Sequence, residues 1–246
     1  MKQFQVVQDR IEFLDNRFYK TSSGAFVPSV TTILEAYPKD ASYFQWIKSV
    51  GSDADTIRDE AGKRGTTVHE LTERYDMGYE VSCVDEQGRP QYKMLEWAMF
   101  ERYVDFTNEF KPNVELMELH MASEKLGYAG TLDRVITIDG KTYLVDIKTS
   151  NSIYPSYWLQ LAAYRELLGD LKKIDGVAIL WLNAKTRTRG KKGDIQGVGW
   201  QMVIREDSTQ DLKLFNNTFE LWKALNEDIK PRVLSYSLKH QKNEGI

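Results

Sequence analysis

A turn signal between two apolar segments is the feature that most constrains the fold of this chain. Asp139-Gly140 separates RVITI from KTYLV, and a two-residue hairpin turn of this kind needs positive φ at both central positions, which Asp and Gly tolerate. The turn predicts an antiparallel hairpin in which Ile138 faces Lys141 and Asp133 faces Asp146. Lys148 follows Asp146 by two residues and therefore lies on the same face of its strand.

Two facing carboxylates have a chemical consequence. At a separation of about 5 Å they repel each other by about 3 kcal/mol at an effective dielectric constant near 20. A divalent cation removes that repulsion and takes both groups as oxygen ligands. With Lys148 beside it to stabilise negative charge, the arrangement is suited to metal-assisted hydrolysis of a phosphodiester. The alternative is a solvated hairpin with an Asp–Lys pair, which a lone D-x-K pattern by itself favours.

The rest of the sequence predicts one α/β domain with a mixed central sheet and helices packed on it. The predicted elements are a strand meander over 4–27, helices over 41–78 (with breaks near Gly51 and Gly65) and 91–109, strands over 114–124, 128–138 and 142–149, a helix over 156–168, strands over 174–183 and 198–204, and a helix over 208–229. We expect a single domain over 1–246, divided into an N-terminal meander and helical region (1–110), a core (111–230) and a C-terminal tail (231–246).

Composition excludes several classes of protein. Cys83 is the only cysteine, so one chain cannot hold a disulfide framework, a cysteine zinc cluster or a cysteine-ligated iron–sulfur cluster. The net charge is −3, from 33 Lys and Arg against 36 Asp and Glu, so any contact with nucleic acid must come from a local patch. Apolar runs are too short to cross a membrane, and no signal or transit peptide is evident. We therefore expect a cytoplasmic location, in a bacterial cell or a phage-infected host.

One basic segment is a candidate for such a patch. Residues 185–192, KTRTRGKK, carry five positive charges and lie between two predicted strands. They predict a basic finger that contacts phosphates, with Arg187 and Lys191 as the contacting residues. The alternative is a solvated loop without a role.

Aromatic and hydroxyl residues near the N-terminus offer further candidate contacts. Most of the aromatic side chains are predicted to form helix core, with the alternative that one or two rings stack on unpaired bases; they are Tyr37, Tyr43, Phe44 and Trp46. Ser29 is a plausible N-cap of the helix that follows it. Together with Thr31 it offers hydroxyl groups and a helix N-terminus, which are suited to a phosphate.

Five short segments resemble, in order, the motifs of one enzyme superfamily. They are P-S-V-T (28–31), G-K-R-G-T-T-V-H-E (62–70), G-Y-A-G-T-L-D (127–133), L-V-D-I-K-T-S (144–150) and Q-L-A-A-Y (160–164). The ordered set resembles the PD-(D/E)xK nucleases in their RecB-like exonuclease branch, and it is similar to the mitochondrial genome maintenance exonuclease and its phage and bacterial relatives. The resemblance implies a restriction-endonuclease-like core, with the helix-rich N-terminal region roofing the site.

The resemblance also implies roles for the matched residues. The implied metal ligands, for Mg²⁺ or Mn²⁺, are His69, Asp133, Asp146 and the main-chain carbonyl of Ile147. The implied catalytic residues are Asp133, Asp146, Lys148 and Glu124, the last as the acidic position before the strand pair. The residues expected to contact substrate are Gln160, Tyr164, Ser29, Thr31, Thr149, Arg187 and Lys191.

Two of these assignments have local support as well as an alternative. Gln160 and Tyr164 are i and i+4 and share one helix face, where they would position the substrate or the catalytic lysine; otherwise they are a polar helix-edge residue and a half-buried tyrosine. His69 would favour Mn²⁺ over Mg²⁺, because imidazole is a softer ligand than oxygen. A single histidine on a helix is otherwise a surface or core residue.

The predicted function is that of a metal-dependent deoxyribonuclease. We expect an exonuclease acting on single-stranded or frayed DNA ends in replication, recombination or repair, with DNA as its partner, no membrane association, and a single-strand-binding or annealing protein as a candidate partner. The alternatives are a structure-selective endonuclease and a nucleic-acid-binding module that does not cleave. The sequence leaves the oligomeric state open.

Overall fold

The computed structural model of the chain describes residues 5–6, 10–13, 16–183, 199–227, 229 and 231. The strands are β1 (Gln5–Val6), β2 (Arg10–Phe13), β3 (Asn16–Lys20), β4 (Phe26–Pro28), β5 (Asn113–Ser123), β6 (Tyr128–Ile138), β7 (Lys141–Lys148), β8 (Gly176–Trp181) and β9 (Gln201–Arg205). The α-helices are α1 (Val30–Ile33), α2 (Ala41–Val50), α3 (Ala54–Asp76), α4 (Met94–Phe110), α5 (Pro155–Leu168) and α6 (Thr209–Leu225). Short 3₁₀ turns cover Leu34–Ala36, Gly51–Asp53 and Gly169–Leu171.

Within the described residues, six strands form a mixed sheet in the order β1-β5-β6-β7-β8-β9. Neighbouring strands are antiparallel except β7 and β8, which are parallel. Parallel neighbours need a crossover connection, which α5 supplies. The carboxyl ends of β7 and β8 therefore lie side by side, with Lys148 paired to Trp181.

Side chains on the central strands alternate between two apolar cores, one on each face of the sheet. Leu144 belongs to the core formed with α1, α5 and α6. Its neighbours Tyr143 and Val145 belong to the core formed with α3 and α4. This alternation is the two-residue period of a strand covered on both faces. The predicted mixed α/β fold, a central sheet flanked by helices, is confirmed.

The predicted hairpin is confirmed in its turn and its register. Asp139 and Gly140 both have positive φ, 49° and 77°. Ile138 pairs with Lys141, and Arg134 pairs with Val145. Main-chain pairing between the two strands ends there, one residue pair before Asp133 and Asp146.

The predicted N-terminal meander is the antiparallel sheet β2-β3-β4. Ser29 then caps α1, because its side chain accepts a hydrogen bond from the Thr32 amide at 3.0 Å. A parallel bridge between Ser29 and Ala129 joins this region to the edge of β6. The position of the cap agrees with the sequence.

The predicted helical region over 41–78 is broken at one glycine but not at the other. Gly51, with φ 59°, ends α2, as predicted. The predicted break near Gly65 is wrong, because α3 runs without interruption from Ala54 to Asp76. A glycine inside a helix costs only about 1 kcal/mol, which burial of the following turns, at Val68 and Leu71, offsets. Among the described helices, none is long and apolar enough to span a membrane.

Candidate active site

Three side chains from three different elements form a group with the donor atoms of a metal site. His69 lies on α3, Glu118 on β5 and Asp133 on β6, and one ligand atom from each lies within 4.8 Å of the others. His69 Nε2 donates a hydrogen bond to the Ile147 carbonyl at 3.0 Å, and its Nδ1 lies 3.6 Å from Asp133 Oδ2. The fold therefore brings together three of the four ligands expected from the sequence, namely His69, Asp133 and the Ile147 carbonyl.

The Asp133 carboxylate lies where β6 and β7 separate. Its Oδ2 accepts a hydrogen bond from the Ile147 amide at 2.8 Å. A side-chain oxygen thus satisfies the amide where main-chain pairing has stopped, as buried amides require. This bond holds the carboxylate at the end of the hairpin and next to the Ile147 carbonyl region of β7.

Glu118 completes the group and was not predicted from the sequence. Met117 and Leu119 pair with Arg134 and Leu132, so Glu118 lies across from Asp133, with a left-handed backbone (φ 46°). Burial raises the pKa of the Glu118 carboxyl to about 7, and repulsion from Asp133 raises it further. Two carboxylates that resist being ionised together, beside an imidazole, fit the demand of a divalent cation for anionic oxygen ligands.

Glu124, which the sequence suggested as the acidic position, lies elsewhere. It is exposed, follows the last residue of β5, and accepts a hydrogen bond from Ser23 Oγ at 2.8 Å. Ser123 pairs with Tyr128, five residues before Asp133, which corresponds to about 16 Å along an extended strand. Counting back from the turn at Gly127 across the β5–β6 hairpin is the signal that would have identified Glu118 instead.

A buried arginine supports the group from behind. Arg134 is 1% exposed, and its Nε donates to Asp76 Oδ2 at 2.7 Å. Its other nitrogens donate to Glu118 Oε1 at 3.1 Å and to Thr72 Oγ1 at 3.3 Å. Tyr103 also donates to Asp76. A buried guanidinium is tolerated when its donors are paired in this way, and it holds the Glu118 side chain in place.

Asp146 and Lys148 form a second unit beside this group. Lys148 Nζ lies 2.6 Å from Asp146 Oδ2. Gln160 joins them, because its Nε2 donates to Asp146 Oδ1 and its Oε1 accepts from Lys148 Nζ, both at 3.2 Å. The expected Asp133–Asp146 metal pair is therefore divided, because main-chain pairing stops one residue short of it and each carboxylate finds its own partners.

Charge balance in this second unit follows from burial. Asp146 is 1% exposed, and burial raises the pKa of its carboxyl although the Lys148 ammonium opposes that shift. Burial by itself would lower the pKa of Lys148, but the carboxylates of Asp146 and Asp133 outweigh it and raise that pKa. Lys148 is thus held as a cation in a site from which water is largely excluded.

Gln160 and Tyr164 contact the second unit rather than open space. Tyr164 is buried, and its hydroxyl accepts a hydrogen bond from Gln160 Nε2 at 3.2 Å. Its ring lies against Gly130. Of the two roles that the resemblance implies for these residues, the geometry favours positioning of Lys148 over contact with substrate.

The remaining residues expected to contact substrate are distributed differently. Ser29 is buried and its hydroxyl is engaged with Thr31 and Thr32, so it stabilises α1 instead of facing a ligand, whereas Thr31 is exposed. Thr149 is buried directly after the catalytic strand. Arg187 and Lys191, with the basic segment, lie outside the described residues.

The aromatic side chains near the N-terminus are mostly not core. Tyr37 packs against the main core, but the other three lie on α2, of which no residue is buried. Phe44 is 54% exposed, and Tyr43 contacts it edge to face with ring centroids 5.6 Å apart. The prediction that most of these rings are helix core is wrong, because α2 contributes no buried side chain to either core.

No protein-family model matches the chain, and no curated protein matches it. Among solved structures it is similar to the alkaline exonuclease LHK-Exo from Laribacter hongkongensis, with a TM-score of 0.41 and 11% sequence identity over 81% of this chain and 87% of that chain. It is similar to SSO0001, with a TM-score of 0.27 and 14% identity over 51% and 58% of the two chains. It is also similar to Can2 from Sulfobacillus thermosulfidooxidans, solved in complex with cyclic tetra-adenylate, with a TM-score of 0.21 and 9% identity over 66% and 54%. These similarities are distant.

Proposed function

We propose that this protein is a metal-dependent DNA exonuclease of the RecB-like PD-(D/E)xK branch that acts on single-stranded or frayed DNA ends. The observation that carries the proposal is the His69–Glu118–Asp133 group beside the buried Asp146–Lys148 pair. Structural ion pairs alone do not require three ligand-type side chains to converge next to a buried lysine. A cytoplasmic location, a role in DNA replication, recombination or repair, and a single-strand-binding or annealing partner belong to the same proposal.

The donor set is suited to Mg²⁺ or Mn²⁺. His69, Glu118 and Asp133 would hold the ion, with the Ile147 carbonyl next to His69 and Asp146 close by. An ion bound there lowers the pKa of a coordinated water and polarises a phosphate oxygen. The imidazole adds preference for Mn²⁺. Arg134 keeps Glu118 oriented toward the group, as residues behind metal ligands generally do.

Lys148 would stabilise the negative charge that develops on the scissile phosphate. Its ammonium is held by Asp146 and Gln160 and lies 4.5 Å from the centre of the Tyr157 ring. A charge fixed in advance, away from bulk water, does not have to reorganise during the reaction. One such group contributes about 3–4 kcal/mol to transition-state stabilisation.

Exposed aromatics on α2 support a preference for unpaired bases. Tyr43 on α2 accepts a hydrogen bond from Arg58 at 3.4 Å, and Arg58 lies on α3, the helix that carries His69. A base stacked on an aromatic ring gains about 1–3 kcal/mol. Phe44→Ala should weaken binding of a single-stranded oligonucleotide, while Leu225→Ala, which removes another exposed apolar side chain, should not.

Linear and covalently closed circular single strands test the proposal. With Mn²⁺, the wild-type protein should degrade the linear strand and spare the circle, and EDTA or Asp133→Asn should stop the reaction. Nicking of the circle would favour the structure-selective endonuclease. Binding without cleavage under all metal conditions would favour the non-cleaving module. Cleavage that is unchanged in Asp133→Asn would contradict the assigned site.

A further inference from the structure

One motif residue has no role in the site described above. Arg64 lies on α3, four residues before Val68 and seven before Leu71, and these positions share one helix face. Val68 and Leu71 are buried, and Val68 packs in the same core as Ile147 and Leu180. Arg64 is therefore one helical turn before the point where α3 packs against β7 and β8, on the side that faces the sheet.

The next residue fixes where along the sheet this turn lies. A Cβ atom on Gly65 would be 3.5 Å from Thr149 Oγ1, so the α3 backbone passes directly beside the residue that follows Lys148. The carboxyl ends of the parallel strands β7 and β8 meet here, and ligands of open α/β sheets bind outside such ends. Arg64 thus borders the mouth of the proposed site.

The Arg64 guanidinium is poised for an anion. Its Nε is buried without a hydrogen-bond partner, and no hydrogen bond or ion pair involves Arg64 within the described residues. Arg134, the other arginine near the site, has all of its neighbours satisfied by contrast. A guanidinium is always charged, and its planar fork matches the oxygens of a phosphate.

We propose that Arg64, together with Thr149, binds a DNA backbone phosphate next to the scissile one. The inference rests on the proposed nuclease function. Arg64 precedes His69 by five residues, which is about 7.5 Å along a helix axis. A strand whose reacting phosphate lies at Lys148 therefore brings an adjacent phosphate within reach of Arg64, and the contact is independent of base sequence.

Matched substitutions of neighbouring cations test the inference. Arg64→Met keeps the apolar stem and removes the charged fork, and Lys63→Met removes the same charge from the adjacent exposed position. In metal-free buffer, Arg64→Met should weaken binding of a fluorescent single-stranded oligonucleotide by about tenfold and lower the salt slope by about one. Lys63→Met should change the affinity by less than about twofold.

Further readouts separate failure of the inference from failure of the proposed function. The Mn²⁺-induced rise in Tm should be the same in Arg64→Met and in the wild type, and the wild type should cleave. If the wild type cleaves while Arg64→Met and Lys63→Met have equal effects, or none, the inference is overturned and the nuclease remains. If Arg64→Met does not fold, Arg64→Lys decides the matter, because a loss of affinity of about threefold or more supports the phosphate fork and wild-type affinity overturns it.

Discussion

Gly130 lies so close to the ring of Tyr164 that a Cβ atom at position 130 would overlap the ring. Tyr164 in turn accepts a hydrogen bond from Gln160, which contacts both Asp146 and Lys148. The glycine of G-T-L-D is therefore explained by packing behind the catalytic pair and not by a turn. A chain of contacts links an inert position on β6 to the ammonium group of Lys148.

Gly130→Ala should destabilise the protein and impair cleavage. The added methyl group overpacks a buried contact, which costs about 1–3 kcal/mol, and it displaces Tyr164 and with it Gln160. Gly62→Ala is the matched control, since nothing lies within 4 Å of a Cβ atom at that helical position, and it should stabilise the protein by up to about 1 kcal/mol. Thermal unfolding measures both effects, and an equal Tm for the two variants would contradict the packing argument.

Glu118→Gln and Glu124→Gln distinguish the two candidate acidic positions. Glu118→Gln removes an anionic ligand from the group, so the Mn²⁺-induced rise in Tm should shrink, and cleavage should fall with it. Without metal, this variant should be at least as stable as the wild type, because the repulsion with Asp133 is gone. Glu124→Gln should match the wild type in both measurements. A loss of the metal effect in Glu124→Gln alone would return the acidic role to that residue.

Lys148→Ala should separate chemistry from metal binding. It removes a charge-stabilising group and no metal ligand, so cleavage should fall by at least about a hundredfold, while Mn²⁺ still raises the Tm. Because Asp146 then stays buried without its cation, the Tm itself should drop. Lys141→Ala, at the exposed start of the same strand, is the control. If DNA affinity falls as far as the rate, Lys148 binds substrate instead.

The free energy of unfolding of the metal-free protein should decrease between about pH 4.5 and pH 7. The pKa of Glu118 is raised from 4.5 to about 7, first by burial. Over that interval the folded protein holds a proton that the unfolded chain has lost, so stability falls as the pH rises, by at most about 3 kcal/mol. The raised pKa of Asp146 acts in the same direction.

Chemical denaturation in EDTA over this pH interval measures the effect. In Glu118→Gln the decrease should be smaller, and the wild type should gain more stability from Mn²⁺ at pH 8 than at pH 6, because the ligands are then already deprotonated. A metal-free stability that rises with pH would contradict the assigned direction.

The sequence by itself determined the features that depend on near neighbours. The Asp139-Gly140 turn set the register of β6 and β7, because only a few residue types accept its backbone angles. The spacing of Gln160 and Tyr164 placed both on one helix face, where they are hydrogen-bonded. Ser29 was identifiable as a cap from the residues around it. In each case the physical cause lies within a few residues of the position.

Only the tertiary structure decided which acidic side chains meet. Register shifts between Val114 and Leu116, and positive φ turns Glu118 toward Asp133, where the sequence had favoured Glu124. The partners of Arg134 lie on α3 and β5, far from it along the chain, and the same is true of His69 and Ile147. Such contacts depend on how helices pack across a sheet, and that packing balances burial against hydrogen bonding over the whole molecule, which no local pattern records.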